Sequence, residues 1–167
     1  MTTTMTHAAR AIDPSVLTQL RARDDAGRTR QPVTDTEGGA PLRCCLRRSD
    51  AGEQIMLVSY APLRRWAAET GADPGAYDEC GPVFIHAQAC AGPTGSGYPA
   101  GLHGDRRVLR AYNAEGHILD GTFLEIPMER VAEVDSALHD VFADPNVALV
   151  HVRAVEFGCF LVEVRRQ

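Results

Sequence analysis

Short runs of alternating apolar and polar residues, bounded by glycine or proline, recur along this chain. They constrain it to strands with one face buried and one face free for other work. The run GPVFIHAQAC, residues 81–90, shows the pattern most clearly. Read as a strand, it places Val83, Ile85, Ala87 and Ala89 on one face. Phe84, His86, Gln88 and Cys90 fall on the other. The first is a core face. The second is too polar for a core and carries an imidazole and a thiol.

The remaining punctuation predicts the elements around it. Residues 1–9 read as a loose, flexible tail, and residues 10–167 as a single domain. Asp13-Pro14 reads as an N-cap followed by proline at the first helical position, with Val16, Leu17 and Leu20 as the apolar stripe. Residues 24–41 read as a polar loop. PLRCCLRR and QIMLVSY, separated by the turn SDAGE, predict a hairpin over 42–60. Leu63 and Trp66 belong to a short helix opened by Pro62 and stopped near Gly71. RRVLRAYNAEGHILDGTFLEI reads as a second hairpin turning at Asn113–Gly116. A helix over 128–143 carries Val131, Val134, Leu138, Val141 and Phe142 on one stripe. NVALVHVRAVEFGCFLVEVRR closes as a last hairpin, with Val152 expected opposite Phe160 across a bulge near Gly158. The fold class expected is α+β: a largely antiparallel sheet of about six to seven strands, with two or three helices packed on one face.

Composition removes several functions. All seventeen basic residues are arginine, so a Schiff-base lysine is impossible and pyridoxal phosphate chemistry is excluded. The same arginine bias reads as the mark of a GC-rich bacterial genome. A net charge of −5 and 6% aromatic residues argue against a nucleic-acid partner. No apolar run approaches a membrane span. MTTTMTHAARAI lacks the apolar core of a secretory signal, which predicts a cytoplasmic, reducing compartment for the five cysteines. GPTGSGYP resembles a phosphate loop but lacks the Lys-Ser/Thr and leads into a strand, so nucleotide binding by that route is rejected.

Three strand faces then share one chemistry. Arg43, Cys45 and Arg47 lie on the first, with Cys44 pointing to the opposite face. His86, Gln88 and Cys90 lie on the second, and His151, Arg153 and Cys159 on the third. If these are one side of one sheet, they form a patch able to hold an anion and present a thiol. Cys45 or Cys90 is then the nucleophile and His86 or His151 the base. Arg43 and Arg153 bind substrate, with Gln88 and with Tyr98 from the Gly-rich loop. That loop, residues 91–105, reads as a cover that would deliver His103, or as simple disorder. His7, His117 and His139 read as unremarkable, and Asp and Glu form no convincing catalytic pair.

No metal ligand is assigned. There is no CxxC, HxH or HExxH, and on a straight strand His86 and Cys90 stand about 13 Å apart. That pair can share zinc only if the chain bends after Ala87. Zinc therefore remains a cofactor alternative rather than an assignment.

PLRCCLRR, SYAP, YDECGPVFIHAQAC, YP and ADPNVALVHVRAVEFGCF resemble, in this order, the bacterial family known as domain of unknown function 1203. The resemblance runs from about residue 10 to the end. Its pieces fall on Arg43, Cys45 and Leu46; on Gly81, Pro82, Phe84, His86 and Cys90; and on His151, Val152, Arg153 and Cys159. It implies no activity, cofactor or partner. The functional expectation is an enzyme acting on a small anionic metabolite. The alternatives are a non-catalytic metal- or small-ligand-binding module and an accessory interaction protein with structural cysteines.

Overall fold

The computed structural model describes residues 6–167. Among these residues, ten strands form two five-stranded sheets. The first contains β1 (His7–Arg10), β7 (Arg106–Tyr112), β8 (Ile118–Glu125), β9 (Leu149–Ala154) and β10 (Phe160–Arg166). Its order is β1-β10-β9-β7-β8 and every pairing is antiparallel. The second contains β2 (Val33–Asp35), β3 (Pro41–Leu42), β4 (Arg47–Arg48), β5 (Glu53–Tyr60) and β6 (Gly81–His86). Its order is β2-β5-β6-β3-β4, with β3 parallel to β6. Three helices, α1 (Pro14–Ala22), α2 (Pro62–Thr70) and α3 (Glu133–Phe142), complete a mixed α+β fold. None of the helices among the described residues is long and apolar enough to cross a membrane.

A single sheet of six to seven strands is therefore replaced by two sheets, and the helices are not on one face. Leu63 and Trp66 of α2 pack with Tyr112 and Leu149. Val134, Leu138 and Phe142 of α3 pack with Val150, Val152, Val162 and Val164. Since successive strand residues point to opposite faces, α2 and α3 cover opposite faces of the first sheet. Leu17 and Leu20 of α1 instead pack with Ile55, Val58, Val83 and Ile85 of the second sheet.

The main departure from alternation is PLRCCLRR. It is not one strand of a hairpin with 54–60. Arg43–Leu46 form a tight turn between two-residue strands, closed by the Leu46 N–H on the Leu42 carbonyl at 3.0 Å. Leu46 sits at φ +58°, a conformation uncommon outside glycine. In the last hairpin Val152 pairs with Val162, not Phe160, and the bulge falls between Phe160 and Val162. It turns Phe160 toward the His151 face, with ring centroids 4.9 Å apart. The middle hairpin forms as expected. Asn113 Oδ1 accepts the N–H groups of Glu115 and His117, and Gly116 adopts φ +85°.

Residues 7–9, expected in the tail, form an edge strand, while 1–5 lie outside the described residues. His7 is buried, stacks on Phe142 and places Nε2 3.1 Å from Asp135. Asp135 also accepts the Tyr98 N–H, and the Ala9 N–H donates to the Ser96 carbonyl at 2.7 Å. These contacts dock the Gly-rich segment on the core, with Tyr98 and Leu102 buried.

Two polar groups hold the irregular segments. Arg43 is 3% exposed, and its Nε and Nη2 donate to the Phe160 carbonyl at 2.9 and 2.6 Å, while Nη1 donates to the Pro41 carbonyl. Burial pushes its pKa down to about 10. Asp24, 4% exposed, accepts hydrogen bonds from the Ala26 and Arg28 N–H groups, from Arg30 Nε at 2.7 Å and from the Ser59 N–H. Burial alone would raise its pKa. The Arg30 bond and the Ser59 and Arg28 N–H groups outweigh that and hold it down to about 2.

Arg43→Met should therefore lower stability in urea by about 2–4 kcal/mol, because it strands the buried Phe160 carbonyl and the part-buried Pro41 carbonyl. Asp24, with its folded pKa depressed from 3.8, contributes stability that is present above that value and lost as pH falls toward about 2. Asp24→Asn should cost about 2 kcal/mol at neutral pH, and the gap to wild type should narrow between pH 4 and 2 in denaturant titrations.

Candidate functional site

The tight turn over Arg43–Leu46 changes where the cysteines point. On a strand, Cys44 and Cys45 would face opposite ways. On the turn, both sulfurs meet the end of β6. Cys44 Sγ lies 3.9 Å from Cys45 Sγ and 3.4 Å from His86 Nδ1, and Cys45 Sγ lies 3.8 Å from the same nitrogen. His86 is the last residue of β6, and the chain bends over Ala87–Gln88. Arg21 of α1 holds the bend by donating from Nε to the His86 carbonyl and from Nη2 to the Gln88 carbonyl, both at 3.0 Å. The bend brings Cys90 back, so that the donor atoms of Cys44, Cys45, His86 and Cys90 all lie within 4.8 Å of one another. Cys44 and Cys45 are buried and Cys90 is exposed.

The surroundings orient the imidazole. Its Nε2 lies 2.7 Å from Glu53 Oε2, and Glu53 Oε1 accepts from Arg47 Nη2 at 2.8 Å. Arg47 and His86 hold the Glu53 carboxyl down to about 2. With Glu53 on Nε2, the Nδ1 lone pair is directed at the sulfurs. The His86 backbone N–H donates to Cys44 Sγ at 3.2 Å.

The two thiols are pushed apart in acidity. A hydrogen bond from Cys44 lowers the Cys45 pKa; burial opposes this, and the Arg47 N–H and the His86 and Arg47 side chains assist. Cys44 is pushed up, first by that same hydrogen bond and then by burial. One proton leaves the pair easily and the second does not.

Cys45, His86 and Cys90 were expected in the site and are brought together. The other expected residues lie elsewhere. His151 is in the first sheet, with Nε2 3.0 Å from Glu163 and its ring against Tyr112 and Phe160. Arg43 is engaged by carbonyls, so it is not free to bind substrate. Gln88 lies in the bend. Tyr98 is buried with its hydroxyl 2.8 Å from His103 Nδ1, and His103 Nε2 faces the Ile126 carbonyl at 2.7 Å, so neither reaches the thiols as part of a cover. Arg153 and Cys159 line a separate cleft together with His151.

Sequence reasoning left out Cys44 on grounds of alternation, and Glu53 and Arg21 altogether. For Glu53 a usable signal existed. SDAG is a turn, so Arg47 and Glu53 flank it within reach of each other.

The matched region of one family model, residues 39–166, takes in the turn, the bend and every residue of β3 to β10. No curated protein and no solved structure matches the chain. With most of its length covered by that model, the chain belongs to the family described as Protein of unknown function (DUF1203).

Proposed function

We propose that this chain is a metal-binding protein whose centre is formed by Cys44, Cys45, His86 and Cys90, with a thiophilic divalent cation of the zinc class as ligand. The spacing of the donor atoms carries the reading. A tetrahedral ion with Zn–S of about 2.3 Å and Zn–N of about 2.0–2.1 Å has S···S edges of about 3.8 Å and S···N edges of about 3.6 Å. The corresponding separations here are 3.9 Å between the sulfurs, and 3.4 and 3.8 Å from sulfur to Nδ1. Cys90 is the fourth donor and, being exposed, the one best placed to let an ion enter. Glu53 plays the part of the outer carboxylate that fixes a ligating histidine. Three thiolates with a neutral imidazole leave a divalent centre with one net negative charge; Glu53 adds a second, and Arg47, paired with Glu53, offsets one of the two.

A second reading, in which Cys45 is a nucleophile oriented by His86 and Glu53 in an enzyme for small anionic metabolites, draws support from the lowered Cys45 pKa. Exposure weighs against it. Cys44 is 2% and Cys45 8% exposed, too little for a substrate carbon to approach either sulfur.

Native mass spectrometry after supplying zinc should show one ion retained and lost on denaturation. Cys44→Ser or His86→Ala should abolish retention, while Glu53→Gln should weaken affinity by about 10–100-fold with the fold unchanged by circular dichroism. A native mass with no zinc in excess zinc would overturn the proposal. Iodoacetamide reacting at Cys45 faster than at exposed Cys80 would then favour the nucleophile. Protons compete for the same donor atoms, so uptake should release protons into weakly buffered solution, and retention should fall as pH drops.

A further inference from the structure

On the first sheet, β7 and β9 present Arg110, Tyr112, His151 and Arg153 on one face. Arg110 pairs with His151 in register, and Val108 with Arg153. Tyr112, His151 and Arg153 floor a cleft of about 220 Å³, whose walls include Leu63, Pro82 and Phe160; Arg110 stands at its edge, reaching the lining residue Glu79. It is independent of the Cys44–His86 centre and shares no residue with it.

The charges in this cleft do not balance. Arg153 Nε donates to the Gly158 carbonyl at 3.0 Å, which sets the plane of its guanidinium. Its terminal nitrogens make no hydrogen bond among the described residues, and the nearest carboxylate oxygen, Glu79 Oε2, stands 3.5 Å from Nη2. Arg110 Nη1 donates to Glu79 Oε1 at 3.0 Å and lies 3.5 Å from the Tyr112 hydroxyl. Two guanidiniums thus share one carboxylate. The arginine side chains are 17% and 26% exposed, whereas Glu79 is 54% exposed on the loop before β6. Placing two like charges side by side at a half-buried site is unfavourable unless an anion accompanies them. His151 commits Nε2 to Glu163, so Nδ1 is its free nitrogen on this face.

We infer that this cleft binds a small carboxylic acid with a short apolar body, and that Glu79 occupies the carboxylate position until such a ligand displaces it. The forked nitrogens of Arg153, with Arg110, match a carboxylate in geometry and charge. Leu63, Pro82, Tyr112 and Phe160 offer the apolar wall that a bare inorganic anion would leave unused. The loop carboxylate lowers apparent affinity in the free protein, since any ligand competes with it.

The test is calorimetric titration with benzoate, using inorganic phosphate and benzyl alcohol as comparison probes. Glu79→Gln should bind benzoate at least about tenfold more tightly than wild type, as expected for removing a competing group. In that background phosphate should bind more weakly than benzoate, and benzyl alcohol should not bind. Adding Arg153→Met should remove the gain. Arg110→Met, at a more exposed position, serves the same purpose if the Arg153 variant fails to fold. Absence of saturable benzoate binding in Glu79→Gln, or binding unchanged by both arginine substitutions, would overturn the inference. Equal affinity for phosphate would overturn the apolar half of it. Zinc occupancy, read on the same samples, should be unchanged throughout, so failure here and failure of the metal centre are separately visible.

Discussion

The buried guanidinium of Arg43 joins the two sheets. It leaves the turn of the second sheet and donates twice to the Phe160 carbonyl on β10 of the first. A third bond returns to Pro41, in the strand β3 that leads into its own turn. A buried cation with carbonyl partners holds its place firmly, because any displacement leaves both the charge and the carbonyls unsatisfied. The turn that carries Cys44 and Cys45 is therefore fixed from behind, and its sulfurs are held against β6 rather than left to find a rotamer.

The same logic fixes the other half of the centre. A β-strand cannot bring residues four apart to one atom, so His86 and Cys90 require the chain to bend. Arg21 stabilises that bend through two carbonyls. Glu53 and Arg47 then orient the imidazole from the side away from the sulfurs. Four supporting side chains, none of them a ligand, create one preorganised set of soft donors. Supporting groups of this kind separate a metal centre from a chance meeting of cysteines.

The residues read as one patch are divided between two places, because two sheets replace one. Soft donors gather at the end of β6. The open arginine, Arg153, lies with His151 on the face of β9 covered by α2 and Phe160. His151 has a structural partner in Glu163, which Arg165 also holds. This arrangement explains how a histidine that alternation marked as unusual is 1% exposed without being a thiol's partner. His7, assigned to a tail, is likewise a buried post between β1 and α3.

Local periodicity and punctuation were enough to determine the two faces of β6, the β7–β8 hairpin, the proline-initiated helices α1 and α2, although Asp13 makes no side-chain cap on α1, and the buried stripe of α3. Each of these depends on neighbours within a few residues. It was also enough to mark Cys45, His86 and Cys90 as out of place on an ordinary strand. The tertiary structure decided the rest. RCCL alternates as a strand would, but four residues are too few to distinguish a period of two from a tight turn. The choice fell to the turn because Arg43 finds its acceptor 117 residues away on β10. The docking of the Gly-rich segment and the approach of Glu53 to His86, 33 residues on, likewise depend on partners distant in the chain. Contacts of that kind leave no local pattern, which is why the donors could be named from sequence while the centre they form could not.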